Sequence, residues 1–108
     1  FKPSFQLPDP ISPHFIIGGT ITPVYGVIAA IEWFLKLNEA LPEAKLSIIG
    51  HCPLNSFYKH LTRDYEAAKG IQLELSDQPL PAAQIRNKVM EADVLMLPYQ
   101  LLPSKLFL

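Results

Sequence analysis

Short apolar runs recur along the chain, and they predict the strands of a sheet. Residues 14–17, 45–49 and 94–97 are mostly apolar runs of this kind, each followed by glycine or proline, which is typical of strands buried on both faces. Residues 71–75 alternate between apolar and polar side chains, which favours a strand near the edge of the sheet. The hydrophobic pattern therefore predicts four strands.

Between these runs the apolar residues recur every three or four positions, which predicts amphipathic helices. The first helix is expected to begin at Pro23 with Thr22 as its N-cap, because threonine and proline favour those two positions. The second is expected to end before Gly70, and the third covers residues 82–92. The second helix is predicted from a stripe of large apolar side chains: Leu54, Phe57, Tyr58, Leu61 and Tyr65.

The elements alternate strictly between strand and helix, and this order predicts the fold class. Such alternation is typical of a parallel sheet with helices on both faces. We expect a Rossmann-like α/β fold, a three-layer α/β/α sandwich with strand order 3-2-1-4. Residues 14–108 form this domain, and residues 1–13 read as a proline-rich linker. The chain is expected to be a piece of a longer protein, because it does not begin with Met and residues from Ser104 onward resemble the start of a helix.

Composition narrows the classes of function. The formal net charge is −1 and the nine Lys and Arg residues are scattered, so a nucleic-acid partner is not expected. The single cysteine excludes an internal disulfide and is typical of a reducing compartment, so we expect a cytoplasmic protein. The longest apolar stretch is interrupted by charges and is too short to span a bilayer, although the full-length protein can still associate with a membrane.

The carboxyl ends of the predicted strands should gather at one edge of the sheet, where open α/β sheets bind ligands. Glycines there can let backbone amides approach a phosphate, or can simply permit a tight turn. Asp77 can accept hydrogen bonds from a ribose or a base, or can stabilise its own turn. The candidate binding residues at this edge are Gly18, Gly19, Thr20, Gly50, His51, Ser76, Asp77, Tyr99, Ser104 and Lys105.

The adjacent pair His51 and Cys52 raises the question of a thiol enzyme. Neighbouring residues rarely point at each other as a nucleophile and its base must, and no third orienting group is apparent. We therefore expect Cys52 to be non-catalytic and His51 to face the ligand cleft, and we expect Cys52→Ser to leave the fold nearly unchanged. His14, His51 and His60 fall on different elements, so no metal site is expected.

The order and spacing of these motifs resemble the C-terminal, donor-binding domain of GT-B glycosyltransferases of the family 4 type (glycosyl transferases group 1). The segment LPEAKLSIIG is very similar to the family pattern P-x-A-x-L-x-I-x-G, and ADVLMLP to A-D-V-x-V-L-P. No single motif is specific, whereas their common order is moderately so. The matching segments are residues 15–19, 25–31, 41–50, 92–98 and 103–107.

The resemblance implies that this domain binds a UDP-, GDP- or ADP-sugar without a further cofactor. In such enzymes, which build glycans and polysaccharides, an N-terminal domain of the same chain holds the glycan or lipid-linked acceptor, so this piece alone should be inactive. By the same match, residues 18–20 would approach the diphosphate or sugar, Gly50 and His51 the nucleotide, and residues 76–77 the base. Residues 99–105 would lie under the donor.

One departure from the family keeps a second hypothesis open. Thr20 and Tyr25 stand where many members carry basic residues that offset the diphosphate charge. A degenerate, non-catalytic interaction or nucleotide-binding module of the same fold is therefore the alternative. A flavodoxin-like or receiver-like domain is a third hypothesis, and the lack of an acidic cluster after the first strand argues against a receiver.

Overall fold

The computed structural model describes residues 13–23, 26–97 and 100–103. Strands and helices alternate along the chain up to a final pair of strands. In chain order the elements are β1 (His14–Thr20), α1 (Val27–Ala40), β2 (Lys45–His51), α2 (Asn55–Tyr65), β3 (Ile71–Ser76), α3 (Ala82–Glu91), β4 (Val94–Leu97) and β5 (Gln100–Pro103).

The strands form one sheet in the order β3-β2-β1-β4-β5. β1 pairs in parallel with β2 and β4, and β2 pairs in parallel with β3. The predicted parallel order 3-2-1-4 is therefore confirmed. β5 was not predicted: it returns antiparallel to β4, in the segment that follows the last of the four predicted strands. Pro103 can end β5 because an edge strand needs hydrogen bonds on one side only.

Helices cover both faces of the sheet, as the sandwich prediction requires. Side chains from α1 and α2 pack with one face of the strands, in a cluster that includes Phe15, Ile31, Leu46 and Leu61. α3 packs on the other face, where Val89 lies in a smaller cluster with strand residues. The chain crosses the first face twice on the way from β1 to β3 and returns over the second face to β4, which is the arrangement of a doubly wound sheet.

The ring of Phe15 joins β1 to α1. Its side chain is fully buried, and it meets Trp33 edge-on with ring centroids 5.6 Å apart and Phe34 with centroids 6.0 Å apart. Edge-to-face aromatic pairs of this kind each contribute about 0.5–1.5 kcal/mol beyond the burial of apolar area. Phe34 is also fully buried, so it belongs to the core, as expected for at least one of the two aromatic residues of this helix.

The first helix begins later than the sequence indicated. α1 starts at Val27, and its N-cap is Gly26 in the left-handed region with φ 71°, so the prediction of Thr22 as the cap and Pro23 as the first helical residue is wrong. The cause lies in Ile21, which is fully buried after the end of β1. Because Ile21 continues the chain across the sheet edge, Thr22 and Pro23 belong to the connection to the helix.

The first two strands continue through the glycines that were expected to end them. Gly19 of β1 is paired with Gly50 of β2, and a Cβ at Gly50 would overlap the carbonyl oxygen of Gly19 and lie 2.8 Å from its carbonyl carbon. Glycine inside a strand is typical of such a close backbone approach. The missing side chain of Gly50 therefore allows β1 and β2 to stay paired up to the sheet edge, and neither strand ends at its glycine.

A row of polar side chains crosses the sheet on the face that α3 covers. The Nε2 atom of His14 lies 2.7 Å from the Ser47 hydroxyl, which donates in turn to the Gln72 side-chain oxygen at 3.4 Å. Burial lowers the pKa of His14 below its usual range, against the opposing effect of the nearby Asp93 carboxylate. The row of His14, Ser47 and Gln72 thus links β1, β2 and β3 through side-chain contacts.

We expect this histidine to make stability depend on pH. Because its pKa is lower in the folded chain than in the unfolded chain, the unfolded state binds more protons as the pH falls below about 6.5. Its contribution to the free energy of unfolding is present above that pH and is lost as the pH falls through the folded pKa. Denaturant unfolding between pH 7.5 and 5 should show a smaller loss in His14→Gln than in the wild type. Equal losses would contradict this role.

Gly50→Ala should destabilise the fold severely. The new methyl group would meet the backbone of Gly19, which cannot move aside as a side chain can, so we expect a loss of about 3 kcal/mol or more in the free energy of unfolding. Gly26→Ala is the control, because its Cβ would have no described atom within 4 Å and its left-handed backbone should cost only about 1–2 kcal/mol. Urea unfolding of both variants measures the difference, and equal losses would show that the close approach is unimportant.

Candidate functional site

Three of the candidate residues lie side by side at the carboxyl edge of the sheet. Thr20 is in register with His51, and His51 is in register with Ser76. Each is the last residue of its strand. The backbone ladder continues past them, since the Ile21 N–H donates to the His51 carbonyl at 2.8 Å and the Cys52 N–H donates to the Ser76 carbonyl at 2.7 Å. The structure thus brings candidates from β1, β2 and β3 together in one row.

The two glycines of β1 have different surroundings. A Cβ at Gly18 would lie 3.1 Å from Cγ2 of Ile85 and 3.7 Å from Cγ2 of Val89, so the missing side chain makes room for α3. A Cβ at Gly19 would have no described atom within 4 Å, which leaves open space beside the backbone. Gly18 therefore serves packing, and Gly19 is the glycine that a ligand can approach.

A cleft of about 490 Å³ opens beside this row, between the turn that follows β2 and the end of β3. Its volume lies within the range of small-molecule sites, about 300–1,000 Å³. Its position at the carboxyl ends of the strands is where an α/β sheet binds ligands. The lining residues come from both turns and from the start of α2: Cys52, Pro53, Asn55, Tyr58, Leu75, Ser76 and Asp77.

Among the described residues that line this cleft, Asp77 alone is charged. The turn after β3 is held by Ser76, whose hydroxyl accepts a hydrogen bond from the Gln78 N–H at 3.1 Å. Among the described residues the carboxylate of Asp77 has neither a hydrogen bond nor an ion pair, and the residue is exposed. The alternative in which Asp77 stabilises its own turn therefore has no support, and its carboxylate is available to a ligand.

Tyr58 lines the cleft, although helical periodicity predicted it to be part of the apolar stripe of the second helix. That stripe is narrower in the structure, because α2 buries Phe57 and Leu61, while Leu54 is 48% exposed and Tyr58 is 37% exposed. Asn55, the first residue of α2, was also missed. The available signal was the position of both residues in the first turns of a helix that follows a strand, next to the binding edge.

His51 does not line the cleft. It is half-buried, and because side chains alternate along a strand, it lies on the same face as Ile49, the face that packs with α3. The expectation that His51 faces the ligand cleft is therefore not met by the cleft described above. A ligand that extends from the cleft along the row toward Thr20 would still pass this residue.

Cys52 is a core residue. Its side chain is 2% exposed and packs in the larger apolar cluster, and burial raises the pKa of its thiol. A protonated, buried thiol is a poor nucleophile. The environment also corrects the expectation for Cys52→Ser. Moving a hydroxyl into this apolar cluster costs free energy of unfolding, and a hydrogen bond to the Leu54 backbone, which already contacts the sulfur, offsets only part of that cost.

The remaining candidate residues lie in parts of the chain outside the described ranges. Tyr99, Ser104 and Lys105 lie outside the described residues, as does Tyr25. Within the described ranges, no three His, Cys, Asp or Glu side chains are arranged to hold a metal ion. No helix in those ranges has the length and apolar character needed to cross a membrane.

Sheet order, helices on both faces and a cleft at the carboxyl edge together define an α/β domain of the Rossmann-like class. Comparisons with models of protein families, with curated proteins and with solved structures found no match. The class therefore rests on the geometry of this chain.

The buried position of Cys52 predicts slow thiol chemistry. In the folded protein, the reaction of Cys52 with a disulfide reagent such as DTNB should be at least about a hundredfold slower than in denaturant, because the thiol is both covered and protonated. Absorbance at the released chromophore follows the rate. Rapid stoichiometric reaction under native conditions would show that the thiol is exposed and would reopen its role in catalysis.

Proposed function

We propose that this chain is the donor-binding domain of a glycosyltransferase and that it holds a nucleotide-sugar along the carboxyl edge of its sheet. The observation that carries the proposal is the cleft beside the row of Thr20, His51 and Ser76, with open space at Gly19. A cleft at one end and an accessible backbone at the other suit a ligand with two chemically different halves. A nucleoside diphosphate is such a ligand.

The dimensions of the sheet agree with this arrangement. The ends of β1 and β3 are two strand spacings apart, about 10 Å, because β2 lies between them. A ribose and a diphosphate bridge that distance. The base would then occupy the cleft at β3, and the phosphates would extend toward β1.

Charge supports the same orientation. The carboxylate of Asp77 in the cleft repels phosphate, whereas the backbone beside Gly19 is open. Backbone N–H groups at the end of a strand can bind phosphate oxygens without a basic side chain. Thr20, which is exposed next to this glycine, offers a hydroxyl in place of the cation that the family carries. Binding of the diphosphate should therefore be weak.

The wider activity follows from the same proposal. An N-terminal domain of the full-length protein would hold a glycan or lipid-linked acceptor, and the transfer would take place in the cytoplasm, at a membrane where the acceptor is a lipid. The domain described here would supply the donor alone. The second candidate, a non-catalytic module of the same fold, is favoured by the uncharged Thr20.

Titration with UDP, GDP and ADP tests the proposal. We expect at least one of them to bind with a dissociation constant on the order of 0.1–1 mM, because the basic residue expected near the diphosphate is absent. His51→Ala should weaken binding several-fold, since this residue stands between the two ends of the ligand. Amide chemical shifts in two-dimensional NMR report both affinity and location.

His60→Ala is the matched control, because His60 contacts Asp64 on the surface of α2 and should leave binding unchanged. The isolated chain should transfer no sugar to any glycan acceptor, because bringing the two substrates together is a large part of such catalysis. The absence of shifts with all three nucleotides, or turnover by the chain alone, would refute the proposal.

A further inference from the structure

The ring of Tyr58 is the first feature of the cleft that bears on how a nucleotide would bind. Tyr58 leaves 37% of its surface in solvent at the cleft, although the adjacent Phe57 is buried. An aromatic ring on a cleft wall is a stacking surface for a nucleobase, and it accepts any base because every base has a π-face. Tyr58 therefore supports base binding but does not select among bases.

Selection has to come from the polar groups of the cleft. An ionised carboxylate accepts hydrogen bonds and donates none, so Asp77 requires a partner that presents donors. Its two oxygens pair best with two donors that lie side by side. Because this carboxylate has no partner among the described residues, it can accept both.

The four common bases differ in this respect. Guanine presents N1–H and the N2 amino group next to each other. Adenine and cytosine each present one amino group beside a ring nitrogen that is itself an acceptor, and uracil presents a single N–H between two carbonyl groups. Only guanine can form a two-fold hydrogen bond with a carboxylate through its pairing edge.

Asn55 adds an independent contribution on the same cleft. Its side-chain amide carries donors, and the guanine edge continues from N1–H to the acceptor O6. A carboxylate for the two donors and an amide for the carbonyl together match the whole edge of guanine. The same pair would place an acceptor against an acceptor with adenine or cytosine.

From the side chains that line the cleft we infer that it selects guanine, and that the donor is a guanine-nucleotide sugar. The Tyr58 ring covers the base, Asp77 accepts from N1–H and N2–H, and Asn55 donates to O6. This inference rests on the proposed function, because it names the donor of that same site. The two ribose hydroxyls are another pair of adjacent donors that Asp77 can bind, and all ribonucleotides share them. The experiment separates binding of Asp77 to guanine from binding of Asp77 to the ribose.

Competition among nucleotides is the direct test. GDP should bind the wild-type chain about tenfold or more tightly than UDP or ADP, since a good bidentate pair is worth that much discrimination. Asp77→Asn should remove this preference and leave the affinities for UDP and ADP unchanged. Asp64→Asn is the matched control, because Asp64 pairs with Arg63 on the surface of α2 at 2.8 Å.

A variant that gains affinity for a different base provides a second test, because a general loss of nucleotide binding cannot produce such a gain. Xanthine carries a carbonyl where guanine carries the N2 amino group, and an asparagine side chain can accept from N1–H while it donates to that carbonyl. The Asp77→Asn variant should therefore bind XDP more tightly than GDP, the reverse of the wild type. Tyr58→Ala should lower the affinity for all nucleotides alike, whereas Tyr58→Phe, which keeps an aromatic ring, should bind them as the wild type does.

Each other outcome overturns the inference. If nucleotides bind with similar affinities, or if Asp77→Asn weakens all of them equally, the carboxylate binds the ribose or nothing, and the nucleotide-binding proposal stands without guanine selectivity. If Asp77→Asn does not change the preference from GDP to XDP, the proposed hydrogen bonds between Asp77 and guanine are wrong. If no nucleotide binds, both this inference and the proposed function fail.

Discussion

The contact between the backbones of Gly19 and Gly50 sets the geometry of the edge at which the candidate ligand site lies. The missing Cβ of Gly50 allows this close approach, because a Cβ there would overlap the Gly19 backbone. The register of β1 and β2 then pairs the next two residues, Thr20 and His51, at the ends of their strands. Ser76 joins them through the register of β3.

The two faces of the sheet are built differently. The face under α1 and α2 contains the aromatic contacts of Phe15 and most of the buried apolar side chains. The face under α3 has a smaller apolar cluster and carries the polar row from His14 through Ser47 to Gln72. Stability therefore depends mainly on the first face, whereas the second face adds specific polar contacts between strands.

Sequence patterns predicted the parallel sheet well, because β1, β2 and β4 are short apolar runs, β3 alternates between apolar and polar residues, and helices lie between them. The order 3-2-1-4 follows from that alternation, and Val94–Leu97 has the expected bounds. The start of α1 could not be predicted, because the burial of Ile21 beyond the strand is a tertiary effect. The strand β5 was not predicted, because Pro98 precedes it and Pro103 is its last residue, and proline is depleted in strands. The glycines of β1 and β2 were expected to end these strands, because a single sequence does not distinguish a glycine that ends a strand from one that permits a close backbone approach.

The candidate site was predictable in position but not in its chemistry. The turn residues at the strand ends come together as the fold class requires, and Asp77 could be selected as a candidate on that basis. Whether its carboxylate had a partner depended on Ser76, whose hydroxyl holds the turn instead. Tyr58 followed the periodicity of a helix stripe, and only the packing of Phe57 and Leu61 shows that its ring remains accessible.

The location of the cleft at β3 has a dynamic consequence. Within the described sheet β3 is an outer strand, paired only with β2, so backbone hydrogen bonds hold it to the sheet on one side only. Regions held in this way open locally at a lower free energy than central strands. A ligand that spans from β3 to β1 would connect this outer strand to the central part of the sheet. Hydrogen exchange at β3 would then slow on binding, and part of the binding free energy would be used to keep the outer strand closed.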